Sequence, residues 1–283
     1  MFRITALALT FFAMLSGACV AQSQDEYKAV LADPDNDGVF EAFLKKLPTI
    51  STTEDGAART YYLLEGDLLM SREQVKSTIQ FQARGFQPAT KPTGELLVMT
   101  KNGVPTFWAK GKRELTYAVA RQSFSSPEEY KTVVEHMKKA AADWEGVCPE
   151  CGLSIKYKEE FDGNPQLDKV LFIVRYVPGE KRFIAASFFP ADPESKRYLN
   201  VGPQFYTTIF DRTGVLRHEL GHVIGYRHEQ IRGVPGCYLE DNNFKPLTEY
   251  DPKSVMHYFC GGGGTMNLVI SESDQRGHRD LYR

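Results

Sequence analysis

Residues His218 to Glu229 read HELGHVIGYRHE, and this short stretch dictates its own geometry. Two histidines four apart on a helix project from one face, with Cβ atoms about 5–6 Å apart. Both imidazoles can then reach a single metal ion. Gly225 ends the helix, because only glycine enters the required left-handed turn cheaply. The chain swings back there and delivers His228 from a different direction. Glu219 stands beside the first ligand, where it can reach a water without itself ligating. Three neutral imidazoles and a water make an open tetrahedral site of the catalytic zinc type. HExxH alone also occurs in ordinary surface helices. Here the glycine and third histidine follow at fixed spacing, and three of the six histidines lie within this stretch, which argues against that reading.

The N-terminus is of a different character. Arg3 precedes an apolar run from Ile4 to Leu15, with small residues at Ser16, Gly17 and Ala18 and a candidate cleavage point after Ala21. The run is shorter than the roughly 20 apolar residues of a membrane span. Residues 1–21 are therefore expected to be a signal peptide. The mature chain is expected to be secreted, or periplasmic or extracellular, with no stable membrane insertion. Lipid anchoring at Cys19 is the minor alternative, because Leu15 stands one position too far upstream for a good lipobox.

After signal removal Cys148, Cys151, Cys237 and Cys260 remain. An even count in an exported chain favours disulfides, and four cysteines allow three connectivities. The expected set is Cys148–Cys151 with Cys237–Cys260. A structural zinc site at CPEC lacks a second CxxC. The net charge of −2 at pH 7, with basic residues scattered, gives no reason to expect a nucleic-acid partner.

Asp33 to Gly38, DPDNDG, mimics the start of an EF-hand loop, but the twelfth position is Leu44 where a bidentate Glu is needed. A solvated turn before a helix over 39–47 is expected. Prolines, glycines and lysines between Gln87 and Pro105 read as a linker. The chain divides accordingly into an N-terminal pro-region and linker, 22–108, and a catalytic domain, 109–283. Leu115, Tyr117 and Val119 alternate as in a half-buried strand. Ser126-Pro127-Glu128-Glu129 starts a helix with a capping box. Its apolar face carries Tyr130, Val133, Val134, Met137, Ala141 and Trp144, with His136 read as a surface residue. Strands are expected over 153–157, 170–177 and 183–189, and a helix from about Thr213. The order predicts an α+β domain with a twisted mixed sheet.

SVMHY, Ser254 to Tyr258, looks like the Met-turn of the metzincins, with Met256 as an apolar floor under the imidazoles. RHELGHVIGYRHEQIR, with Glu229 after the third histidine, and a tyrosine two places after the methionine resemble the astacin family. The closing ISESDQRGHRDLYR is similar too. The resemblance covers roughly Arg113 to the end and is dense from Leu216 to Tyr258. It implies a bilobal, zincin-like zinc endopeptidase that acts on protein or peptide substrates, with one catalytic ion on His218, His222 and His228. It also implies Glu219 as general base, and Tyr258 near zinc as a donor to the transition state. Glu229 would anchor a processed N-terminus. LLEGDLLM, residues 63–70, resembles the propeptide motif whose aspartate blocks the zinc. Asp67 would then be the latch of a zymogen, the alternative being a plain turn at Gly66-Asp67. Gly233 to Tyr250, the glycine run at 261–264 and the cysteine arrangement depart from the animal astacin pattern.

A substrate lying along a sheet edge is expected at Phe183 to Pro190, although a buried core strand explains those residues equally well. The chain is expected to act as a monomer. Two rival readings are a metzincin with a permanent accessory domain, and a non-catalytic zinc-binding or envelope interaction protein. The intact Glu219 argues against the second.

Overall fold

The computed structural model describes residues 24–47, 49–54, 57–64, 68–83, 96–179, 183–232, 234, 243–257 and 263–283. Among these no helix is long and apolar enough to cross a membrane.

The N-terminal part holds helices α1 (Gln24–Ala32) and α2 (Asp37–Leu44), an antiparallel meander β1 (Thr49–Glu54), β2 (Ala57–Leu64), β3 (Leu68–Met70), and helix α3 (Arg72–Ala83). The DPDNDG segment is a helix cap. The Asn36 side chain accepts the amide N–H groups of Gly38 and Val39 at 3.0 and 3.2 Å. Its carboxylates go to separate partners instead of converging: Asp35 accepts from Gln80 and Asp37 pairs with Lys76. The helix starts two residues before the expected Val39, since Asn36 is its cap.

Residues 96–105 are not a linker. Leu97–Lys101 forms β4 and Val104–Pro105 forms β5, joined through Asn102 and Gly103, both at positive φ. Leu96, Leu97 and Val98 are fully buried. Gly103 and Pro105, two of the breakers that suggested a linker, are the hairpin turn and strand end of a short core element. Residues 84–95, the rest of the expected linker, lie outside the described residues.

The large domain is a five-stranded sheet covered by helices. β6 (Glu114–Val119), the 21-residue helix α4 (Pro127–Val147), β7 (Ser154–Tyr157), β8 (Phe172–Tyr176), β9 (Ala185–Ala186) and β10 (Tyr198–Val201) follow in order. The strand order is β7-β6-β8-β10-β9. Four strands run parallel and β9 pairs antiparallel with β10 at one edge. Together the helices and the mixed sheet make an α+β fold. The alternation in β6 sorts its faces: Leu115, Tyr117 and Val119 enter the main core, while Ala118 joins Val170 and Ile173 on the other side.

Ser126 caps α4 by accepting the Glu129 N–H at 3.1 Å, and Glu129 returns its carboxylate to Ser125, one residue upstream of the box position. Tyr130, Val133, Met137, Ala141 and Trp144 are buried, with Val134 packed against the same core. His136 is half-buried rather than on the surface: its Nδ1 bonds the Thr213 hydroxyl at 2.8 Å. Helix α5 (Arg212–Val223) packs on α4. Then come β11 (Tyr226–Arg227), β12 (Phe244–Pro246), both paired with β4, and a closing helix α6 (Glu272–Tyr282).

Candidate metal centre

Helix α5 begins at Asp211, whose side chain accepts the Gly214 N–H at 2.6 Å. Every residue from Thr213 to Val223 is buried, polar ones included. Burying a polar group is costly unless it is hydrogen-bonded, so the polar residues of this helix need partners. Trp144 on α4 donates its indole N–H to the Arg217 carbonyl at 2.8 Å, and Arg217 reaches Asp143 and the Leu268 carbonyl.

The turn that ends α5 is fixed twice. Gly225 has φ of 108°, and a Cβ there would fall 2.6 Å from the Thr106 carbonyl oxygen. β4 then takes over: Met99 donates to the Gly225 carbonyl at 2.7 Å, and Leu97 and Val98 pair with Arg227 and Tyr226. The stretch expected as a linker therefore delivers His228 to the site.

His218, His222 and His228 are all buried, and their potential ligand atoms lie within 4.8 Å of one another. The His228 Nε2 is 3.0 Å from that of His222 and 3.2 Å from that of His218. The Nδ1 of His218 lies 2.7 Å from the Val255 carbonyl, and that of His222 lies 2.7 Å from the Tyr226 carbonyl. A carbonyl only accepts, so each of these Nδ1 atoms carries the proton. The Nε2 atoms of both rings are thereby aimed into one small space, where that of His228 meets them. Two nitrogens on one tetrahedral zinc stand about 3.3 Å apart, so the observed spacing fits that ion.

Glu219 is buried next to the first histidine. Ser187, just past β9, donates its hydroxyl to the Glu219 carbonyl at 2.9 Å and ties the sheet edge to the helix. The Phe189 ring stands edge-on to His222, with centroids 5.2 Å apart. Met256 is fully buried, its sulfur against Gly221, and its carbonyl accepts the Glu229 N–H at 2.8 Å. The buried Glu229 carboxylate pairs with Arg232 at 3.0 Å and accepts the Asp251 N–H at 3.2 Å. Asp274, on α6, accepts from Ser254 and Val255 beside Met256. Burial pushes its carboxyl up to about 6, against hydrogen bonds from Ser254, Val255 and Ser271 that pull it down.

The structure thus brings His218, His222, His228, Glu219 and Met256 into one neighbourhood. Cys148 and Cys151 are disulfide-bonded at the end of α4, away from these residues in the chain. Tyr258, Asp67, Cys237 and Cys260 lie outside the described residues, as do residues 1–23. β2 and β3 pair antiparallel on either side of residues 65–67. Sequence reasoning missed Asp274 and β4. The S-x-x-D signature at Ser271 to Asp274 marks a capping box, but nothing local says that its carboxylate is buried.

No family model matches the chain. Among curated proteins, an alignment of 158 residues is 30% identical to zinc metalloproteinase nas-39 of Caenorhabditis elegans and covers 43% of this chain. It spans only 17% of that relative's length. Among solved structures, metalloproteinase-II from Bacteroides fragilis is similar over 83% of this chain and 76% of its own, at 10% identity and a TM-score of 0.31.

Proposed function

We propose that this chain is a zinc-dependent endopeptidase of the astacin-like metzincin kind, exported and made in a latent form. The observation that carries the reading is the pair of Nδ1-to-carbonyl contacts, which turn the Nε2 atoms of His218 and His222 toward that of His228. The partial match to a protein named as a zinc metalloproteinase supports the same conclusion.

When bound, zinc supplies Lewis acidity and brings the pKa of a coordinated water to about 7. Glu219 is the general base: its carboxylate takes a proton from the attacking water and returns it to the leaving amine. The Ser187–Glu219 hydrogen bond holds the helix against the sheet edge, where β9 can bind an extended peptide through main-chain groups. By the astacin resemblance, Tyr258 donates a hydrogen bond to the developing oxyanion.

Latency is supported by where the N-terminal part sits. Val30, Phe40, Phe43, Leu44, Leu47, Val75 and Ile79 form a core that includes Phe189, the residue whose ring flanks His222. Lys196, after the edge strand, lies over the Tyr61 ring of β2 at 4.6 Å. A segment packed there stands at the rim of the histidine cluster.

The test uses the chain without residues 1–21. Zinc content and cleavage of casein or a quenched peptide are measured before and after limited trypsin treatment, with a chelator control. Chelator-sensitive hydrolysis that rises as the region before about residue 110 is removed is the expected result. Full activity without processing would discard latency and the Asp67 latch. Glu219→Ala should keep the zinc and lose about 10²–10⁴-fold in rate. Zinc without hydrolysis in the wild-type chain under every condition would favour a binding role.

A further inference from the structure

The outer contacts of His218 lead back to one buried carboxylate. Asp274 is fully buried. Its Oδ1 accepts the Ser254 hydroxyl at 2.6 Å, and its Oδ2 accepts the N–H groups of Val255 at 2.8 Å and Ser271 at 2.9 Å. Ser254, its hydroxyl proton directed to Asp274, accepts the Met256 N–H at 3.0 Å on the same oxygen. That N–H and the Val255 carbonyl are the two ends of a single peptide unit. The carbonyl end holds the His218 Nδ1 at 2.7 Å. The orientation of this peptide plane is therefore set at its N–H end by a serine that Asp274 orients.

Capping α6 needs only the reciprocal pair with Ser271, in which the Asp274 carboxylate accepts the Ser271 N–H and the Asp274 N–H donates to the Ser271 hydroxyl. Asp274 makes those bonds and also two to the segment that runs beneath the histidines. Ligating histidines depend on the group that receives their second N–H, because it fixes both the tautomer and the ring orientation. Here that group is a backbone carbonyl, and a carbonyl is only as well placed as its peptide unit.

We infer that Asp274 is a positioning residue for the metal centre, acting through Ser254 and the Val255–Met256 peptide to hold the His218 ring with its Nε2 aimed at those of the other two histidines. The inference rests on reading the three histidines as a zinc site.

Three variants of the signal-free chain test it: Asp274→Asn, Ser254→Ala and Ser271→Ala. Zinc affinity is measured by competition with a chromophoric chelator, and the visible absorption of the cobalt-loaded protein is recorded. Asp274→Asn and Ser254→Ala should weaken zinc binding by about ten- to a hundredfold and alter the cobalt bands. Ser271→Ala removes the cap on the Asp274 N–H and leaves the Ser254 and Val255 contacts in place. It should lower the melting temperature while zinc affinity stays within about twofold, the size a purely structural defect leaves. Should Asp274→Asn fail to fold, Ser254→Ala decides. Unchanged zinc affinity in both Asp274→Asn and Ser254→Ala overturns the inference alone. So does an equal loss in Ser271→Ala, since affinity would then merely follow stability. A wild-type chain that binds no zinc overturns the zinc reading and this inference with it.

Discussion

Met256 packs its sulfur into the space that a side chain on Gly221 would claim: a Cβ built at Gly221 falls 2.3 Å from Met256 Sδ and 3.5 Å from Trp144 Cζ2. In an exposed helix, replacing glycine by alanine gains about 1 kcal/mol from backbone entropy. Here Met256 and Trp144 are both fully buried, and the methionine has to be displaced within a filled core. Overpacking costs about 1–3 kcal/mol and outweighs the helix gain. Gly221→Ala should therefore destabilise the protein in denaturant unfolding, and the same change in a Met256→Ala background should cost less. A neutral or stabilising Gly221→Ala would refute the packing relationship.

What was legible in the sequence was what is local. The spacing of His218, His222, Gly225 and His228 determines helix, turn and return within a few residues, and the structure places those side chains together. The alternation of β6 and the Ser126 cap depend on neighbours in the chain and are found there. β4 was hidden because the apolar run that carries it, Leu96 to Met99, is only four residues long and flanked by Gly94, Gly103 and Pro105. Its partners, β11 and β12, are more than 120 residues away in the chain. Asp274 reads as an ordinary acidic residue in a first helical turn, a position usually exposed. Its burial beneath the segment at 254–256 is a tertiary fact. Glu229 had a family role in the sequence, but its pairing with Arg232 forms on a 3₁₀ turn that no periodicity announced.

Zinc should be felt as stability. A ligand that binds only the folded state contributes about 2.7 kcal/mol at a hundred times its Kd. For a chain of this size that corresponds to a rise of about 5–10 °C in melting temperature. Metal-depleted protein titrated with zinc should show that rise, a chelator should reverse it, and His228→Ala should abolish most of it. A melting temperature indifferent to zinc in the wild-type chain would count against the three-histidine site.

The Glu229–Arg232 pair is buried on both sides, with 0% and 4% of the side chains exposed. Removing one partner of such a pair costs about 3–5 kcal/mol, mostly because the remaining charge is left in a poor solvent. Arg232→Ala should thus be strongly destabilising in urea unfolding. In a Glu229→Gln background the same change should cost much less, since no buried charge is stranded. Equal costs in both backgrounds would show that Arg232 contributes through packing and not through Glu229.

Acid sensitivity should come in part from His278. The ring lies between Trp144 and Tyr282, with its Nδ1 2.8 Å from the Tyr226 hydroxyl. Burial lowers its pKa from 6.5 to about 4, and the positive charges of Arg113 and Arg279 add to the shift. A histidine whose folded pKa is depressed stays neutral in the native state while the unfolded chain already takes up a proton. The stability it confers is fully present above pH 6.5 and is lost as the pH falls toward 4. The full shift corresponds to about 3 kcal/mol. Urea unfolding of metal-depleted wild type and His278→Gln across this range removes the zinc ligands from the comparison, because both proteins carry them. The wild-type advantage should shrink by roughly that amount between pH 7 and pH 4. A difference that stays constant over the range would mean that His278 takes up its proton as readily in the folded protein as in the unfolded chain, so that the variant's loss is one of shape alone.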